Sequence, residues 1–127
     1  MNIVIAPNAF KGSLSAEEAA NCIAKGVRLS NLSCNLKLIP IGDGGDGTAA
    51  LIAREWNSRS ITVTVHDPLG RIIKASFEWV EKEKTAIIEM ADASGLKLLK
   101  PNELNPMKAN SRGTGDLINS ALKKNAK

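Results

Sequence analysis

Seven consecutive residues, Gly42-Asp43-Gly44-Gly45-Asp46-Gly47-Thr48, hold four glycines and two carboxylates between an apolar run and a helix-like run. So much glycine marks a turn from strand to helix. Glycine permits positive φ and close approach of a ligand to the main chain, and the following helix can offer its first amides to an anion. Gly42, Gly44 and Gly47 also satisfy the letters G-x-G-x-x-G of a dinucleotide-binding turn. Two aspartates inside that turn would repel a pyrophosphate unless a cation sat between them, which points to carboxylates, phosphate and Mg²⁺ together. A calcium loop fits worse: counting from Asp43, the twelfth position is Arg54, where an EF-hand places a bidentate Glu. The purely structural alternative is a tight Gly/Asp turn with Asp46 near a helix start.

On either side of this turn the hydrophobic pattern sets the architecture. Ile3 to Ala6 is a continuous apolar run closed by Pro7, expected as a strand buried on both faces of a parallel sheet. Ser15 and Glu18 form a capping box, and Ala16, Ala19, Ala20, Ile23, Ala24 and Val27 recur at helical spacing, so a helix is expected from Ala16 to Leu29. Leu36, Leu38, Ile39 and Ile41 give a second strand, and Ala49 to Trp56 a second helix. From Ile61 the period drops to two. Ile61, Val63 and Val65 alternate with Thr62, Thr64 and His66; Asp67-Pro68-Leu69-Gly70 turns the chain; Ile73, Ala75, Phe77 and Trp79 resume the alternation as an antiparallel hairpin. A polar turn at Glu81 to Lys84 leads into a third run, Thr85 to Met90, completing a meander. Asn105-Pro106 breaks the chain, and Gly113-Thr114-Gly115 precedes a helix with Leu117, Ile118, Ala121 and Leu122 on one face. The expected class is α/β. A β-α-β-α start of a parallel, Rossmann- or flavodoxin-like sheet occupies residues 1–59, and residues 60–127 open a second, β-rich α/β domain. Ending just after one amphipathic helix reads as a truncated unit.

The 127 residues are 43% hydrophobic and 24% charged, within the range of a globular chain that buries one ordinary core. The net charge of +4 is spread along the chain with a slight excess at Lys123, Lys124 and Lys127, so no basic stripe forms. The aromatics are Phe10, Trp56, Phe77 and Trp79, none interleaved with basic residues. Nucleic acid is therefore not the expected partner, and anionic small molecules are. Cys22 and Cys34 form no Cys-x-x-Cys and His66 is the single histidine, so no zinc set can be assembled and both thiols are expected to be reduced. Met1 to Ala6 is too short for a signal h-region and no apolar run reaches membrane-spanning length; no membrane partner and a cytoplasmic location are expected.

Chemistry-bearing residues gather at the expected strand ends. Asn8 and Lys11 follow the first strand, where ligands of such folds bind. Lys11 offers a flexible point charge suited to an anion, or stands as a solvated lysine. Asn8 either donates through its amide or shapes the turn after Pro7. Asp43 or Asp46 could hold Mg²⁺ or take a proton from a substrate hydroxyl, as phosphoryl transfer requires, with Gly44 and Gly45 as the close-approach backbone. Ser94, after Glu89-Met90-Ala91-Asp92-Ala93, either contacts a substrate hydroxyl or carboxylate or caps its own turn. Arg112, followed by Gly113 and Thr114, offers a fork for a carboxylate or phosphate before a helix start. His66 and Asp67 are read as shaping the hairpin turn.

Five of these segments, Ala6 to Lys11, Gly42 to Thr48, Asp67 to Gly70, Glu89 to Leu96 and Arg112 to Leu117, resemble in order and spacing the glycerate kinase family whose members open with A-P-D-S-F-K and carry A-D-G-G-E-G-T. The resemblance implies ATP- and Mg²⁺-dependent phosphorylation of a hydroxyl of D-glycerate by a two-domain α/β enzyme. It carries Lys11, Asp43, Asp46, Ser94 and Arg112 onto motif positions: Lys11 and Arg112 for glycerate carboxylate or phosphate, Ser94 for substrate contact, Asp43 and Asp46 for metal or proton handling. Asn8 and Ala9 stand where the family pattern has Asp and Ser, and Gly42 and Asp46 where it has Ala and Glu. Family members continue well beyond this length, so the chain is read as an N-terminal portion, truncated relative to them. The alternative is an inactive fragment or binding module that keeps part of the glycerate site. Pairing of two chains as a homodimer stays open.

Overall fold

A computed structural model describes all residues from 1 to 127. They form two compact units, Met1–Leu51 and Ile52–Lys127, each described on its own terms.

In the first unit, β1 (Asn2–Ile5) and β2 (Asn35–Leu38) pair in parallel, with Ile3 opposite Leu36 and Ile5 opposite Leu38. The crossover between them is α1 (Ala16–Leu29), with the boundaries its periodicity predicts. Its start is the expected capping box: Ser15 accepts the Glu18 amide at 3.2 Å, and the Glu18 carboxylate accepts the Ser15 amide at 2.8 Å. Replacing Ser15 with Ala is expected to lower stability by about 1 kcal/mol in urea unfolding, because an N-terminal amide of α1 then loses its partner.

The small side chains of Ala20 and Ala24 bring α1 close to Ile5, with Ile3, Leu36 and Leu38 packed around them. That covers one face only. The expectation of a strand buried on both faces fails at Val4, which is 60% exposed, because a two-stranded sheet with a single crossover helix leaves its other face open. Ile23, on the same helical pattern, is also exposed. β2 is shorter than expected, since Pro40 has no N–H to pair. Backbone pairing nonetheless runs on either side of it, with the Ile39 amide donating to the Ile5 carbonyl (2.8 Å) before the proline and the Ile41 amide to the Pro7 carbonyl (2.9 Å) after it. These two bonds carry the β1 and β2 exits forward side by side. After the glycine turn, α2 (Thr48–Glu55) leads into the second unit.

The second unit is built on the expected meander. β3 (Arg59–His66) pairs antiparallel with β4 (Ile72–Val80), and β4 with β5 (Thr85–Ile87). Val65, Ala75, Phe77 and Trp79 lie on the buried face with Ile61, Val63 and Ile73, while Thr62 and Ser76 join hydroxyls across the outer face at 2.9 Å. β5 stops earlier than the expected Met90 because the chain turns at Glu89 into the single-turn helix α3 (Ala91–Ser94). Short 3-10 turns at Leu96–Leu98 and Pro101–Glu103 follow.

The last element is α4 (Arg112–Lys123). It takes in Gly113-Thr114-Gly115, which the sequence pattern puts before the helix. It buries Gly113, Leu117 and Ala121 against the meander, while Ile118 and Leu122 stay exposed. The buried stripe is thus narrower than the four-residue face expected. No helix is long and apolar enough to cross a membrane.

Candidate functional site

The candidate residues of the first unit sit on two neighbouring loops at the C-terminal ends of β1 and β2. The β1 loop closes on itself: the Phe10 carbonyl accepts the Ser13 (2.8 Å) and Leu14 (3.1 Å) amides, and the Phe10 amide donates to Leu14. Lys11 is exposed at its tip. Asn8 Oδ1 accepts the Ala9 amide at 2.7 Å on the β1 loop. Asn8 therefore shapes its own turn after Pro7.

Within that loop Asp43 Oδ1 accepts the Gly45 amide (3.0 Å), and Thr48 Oγ1 accepts the Gly44 amide (3.1 Å). Gly44 has φ +92°, a conformation that side chains other than glycine's rarely tolerate. The Gly44 and Gly45 amides are thus occupied by the loop's own oxygens, and an anion using them would have to displace those oxygens. The Gly45 amide first, then the Asn8 side chain, hold the Asp43 carboxyl below the ordinary carboxylate range. Such a group is an anion at neutral pH and a weak proton acceptor. Asp46 lies on the same exposed turn. No group of three or more His, Cys, Asp or Glu side chains gathers anywhere in the chain.

The candidates of the second unit converge on the start of α4. Ser94 does not merely cap its own turn: its hydroxyl bonds Thr114 Oγ1 at 2.7 Å and accepts the Thr114 amide at 3.3 Å. Asn110 ties the same end of the helix to the hairpin turn. Its amide and side chain donate to the Pro68 carbonyl at 3.0 and 3.1 Å, and its Oδ1 accepts the Arg112 amide at 3.0 Å. Gly113 is packed so closely that a Cβ there would collide with the His66 carbonyl and lie 3.0 Å from the Ala93 carbonyl. Arg112 is exposed beside this junction. Ser94 also borders a depression of about 500 Å³ whose apolar wall of Met90, Leu96, Leu99 and Leu104 is joined by the polar side chains of Asn105, Asn110 and Ser111.

One pair escapes sequence reasoning. Asp116 Oδ2 accepts both the His66 amide (3.0 Å) and His66 Nδ1 (2.7 Å). The His66 side chain, foremost, holds Asp116 below the usual carboxylate range, with the field of Arg112 adding to it. His66 therefore does more than shape the hairpin, because it anchors the helix that carries Arg112. Asp67 is the turn-shaping residue expected: it is 1% exposed and accepts the Leu69 (2.9 Å) and Arg71 (2.8 Å) amides as well as the Arg71 side chain.

A family model described as "Glycerate kinase family" matches residues 3–127. The chain is 43% identical to a glycerate kinase of Bacillus subtilis (strain 168) over 96% of its own length and 32% of that relative's. It is 44% identical to a glycerate 2-kinase of Escherichia coli (strain K12), over 99% of this chain and 33% of that one. A crystal structure of a protein assigned as glycerate kinase 2 from Salmonella typhimurium LT2 superimposes with a TM-score of 0.71 at 39% identity, covering 99% of this chain and 34% of that one. The chain spans about a third of the length of the curated relatives it matches. With nearly every residue inside the family match, and the five motif segments on the loops and short helical starts just described, the chain belongs to the glycerate kinase family.

Proposed function

We propose that this chain takes part in ATP-dependent phosphorylation of D-glycerate to phosphoglycerate. The observation that carries the reading is the family match over residues 3–127, which includes every candidate loop. In the transfer, a glycerate hydroxyl oxygen forms a bond to the terminal phosphorus of ATP, the bond from that phosphorus to ADP breaks, and the hydroxyl proton is released. Lys11, exposed on the β1 loop, and Arg112, exposed at the first position of α4, would bind the substrate carboxylate or phosphate. The Ser94–Thr114 hydroxyl pair would orient a substrate oxygen.

Asp43 and Asp46 would serve the metal ion of the nucleotide. Mg²⁺ in kinase sites takes one or two carboxylates and completes its shell with phosphate oxygens and water. Two carboxylates on one loop fit that donor set, whereas a lone ion would find too few ligands. Bound there, Mg²⁺ would neutralise charge on the transferring phosphoryl group. The low-lying Asp43 carboxyl favours this electrostatic part over proton acceptance. A second reading, a module that binds glycerate without transferring phosphate, draws on Asn8, an amide that cannot take a proton where the family pattern has Asp.

Phosphorus NMR of the chain with ATP, Mg²⁺ and D-glycerate tests the proposal. A phosphoglycerate resonance should appear, and Lys11→Ala should slow its formation about tenfold or more by removing the anion contact. Unchanged formation in Lys11→Ala would take that lysine out of the site. Saturable glycerate binding with no phosphoglycerate would replace transfer with the second reading.

A further inference from the structure

Arg112 and Asp116 stand one turn apart on the same face of α4. An arginine and a carboxylate at that spacing ordinarily attract each other. Here the carboxylate is engaged elsewhere: Asp116 forms its ion pair with His66, at 2.7 Å, and none with Arg112. Both bonds that fix it fall on one oxygen, Oδ2, which accepts the His66 main-chain amide at 3.0 Å as well as ring Nδ1. Two donors from the last residue of β3 therefore hold the carboxylate against the strand. The Arg112 main chain is fixed too, its amide donating to Asn110 Oδ1 at 3.0 Å, while the residue stays exposed.

We infer that His66 is a positioning residue: by engaging Asp116 it denies that carboxylate to Arg112 and leaves the guanidinium free for an anionic ligand. The inference deepens the proposed function and rests on its reading of Arg112 as the contact for a substrate carboxylate or phosphate. A carboxylate that swung to Arg112 would compete with such a ligand for the same fork of donors and would repel its charge. His66 suits the task because its ring adds a second donor to the one its main chain offers, at the same oxygen. The size of the effect follows from the pair that is prevented, since an exposed pair at this helical spacing shifts an equilibrium by about twofold.

The rate at which phenylglyoxal modifies Arg112, followed by mass spectrometry of its peptide and scaled to the exposed Arg28 of α1, reads how available the guanidinium is. His66→Val keeps a strand-forming residue at the end of β3 and should slow Arg112 by about twofold, because Asp116 is left with the main-chain amide alone and can turn to the arginine. Adding Asp116→Asn to that variant should restore the wild-type rate. His66→Asn, which retains a side-chain donor, should keep the wild-type rate from the outset. The reversal separates positioning from mere support, since loss of a structural bond would mark His66→Val and the double variant alike. An unchanged Arg112 rate in His66→Val overturns the inference. So does a slowing that Asp116→Asn fails to reverse, or one that His66→Asn shares. None of these rates needs glycerate: if they follow the predicted pattern and glycerate does not bind, the inference stands and it is the proposed function that fails.

Discussion

Gly113→Ala should be among the most damaging single-methyl additions this chain can suffer, lowering stability by about 3 kcal/mol and the melting temperature by about 10 °C. The added carbon would run into the His66 carbonyl and crowd the Ala93 carbonyl. Both obstacles are backbone, held by β3 and α3, so no rotamer change relieves the clash. The helix must back away, and that disturbs the Ser94–Thr114 and His66–Asp116 bonds together. Gly115, two residues on, is the internal control. A Cβ there meets nothing within 4 Å, and alanine in an exposed helical position should leave stability unchanged or raise it by up to about 1 kcal/mol. Thermal melts of the two variants should therefore move in opposite directions. A harmless Gly113→Ala would mean that α4 does not sit against β3 as described.

Asp67→Ala is the second large effect, expected to cost about 2–3 kcal/mol in urea unfolding. The fully buried carboxylate accepts two amides of its own turn, and its Arg71 partner reaches on to Glu103 at 2.7 Å, tying the hairpin to the segment after α3. Alanine leaves those amides without acceptors. Most of the cost lies there, since Arg71 is half exposed and keeps Glu103.

The same carboxyl makes stability depend on pH. Burial pushes Asp67 up, but the Arg71 side chain and the Arg71 and Leu69 amides outweigh it and leave it below the ordinary carboxylate range. The unfolded chain then binds the proton more readily than the folded one. The stability Asp67 contributes is complete above the unfolded value of about 4 and is lost as pH falls through the lower folded value. Asp116 and Asp43, shifted the same way, add to that acid sensitivity. The fall in melting temperature on acidification below about pH 4 should be shallower in Asp67→Asn than in wild type.

Local chemistry was the legible part of this fold. Ser15 and Glu18 act within one helical turn, and the alternation from Ile61 to Trp79 reports one buried face directly, so α1 and the hairpin follow from neighbours in the chain. Val4 departs from the expected burial because an apolar run records a preference for burial without saying what covers each face. The sequence pattern puts Gly113-Thr114-Gly115 just before the helix, and tertiary packing draws it in: Gly113 permits the close approach of α4 to His66. The contacts that organise the candidate site were hidden for a different reason. Ser94 with Thr114 and His66 with Asp116 are 20 and 50 residues apart, joined by no periodicity. The motif resemblance located the loops, while the structure adds which side chains within each unit already satisfy one another.

A two-dimensional amide NMR titration of the chain with D-glycerate tests most directly whether these loops recognise the proposed substrate. The account predicts saturable shifts concentrated at Lys11, Gly44 and Gly45 in the first unit and at Arg112 and Thr114 in the second. A well-dispersed spectrum that ignores glycerate, or one that moves only at residues away from both loop sets, would contradict it.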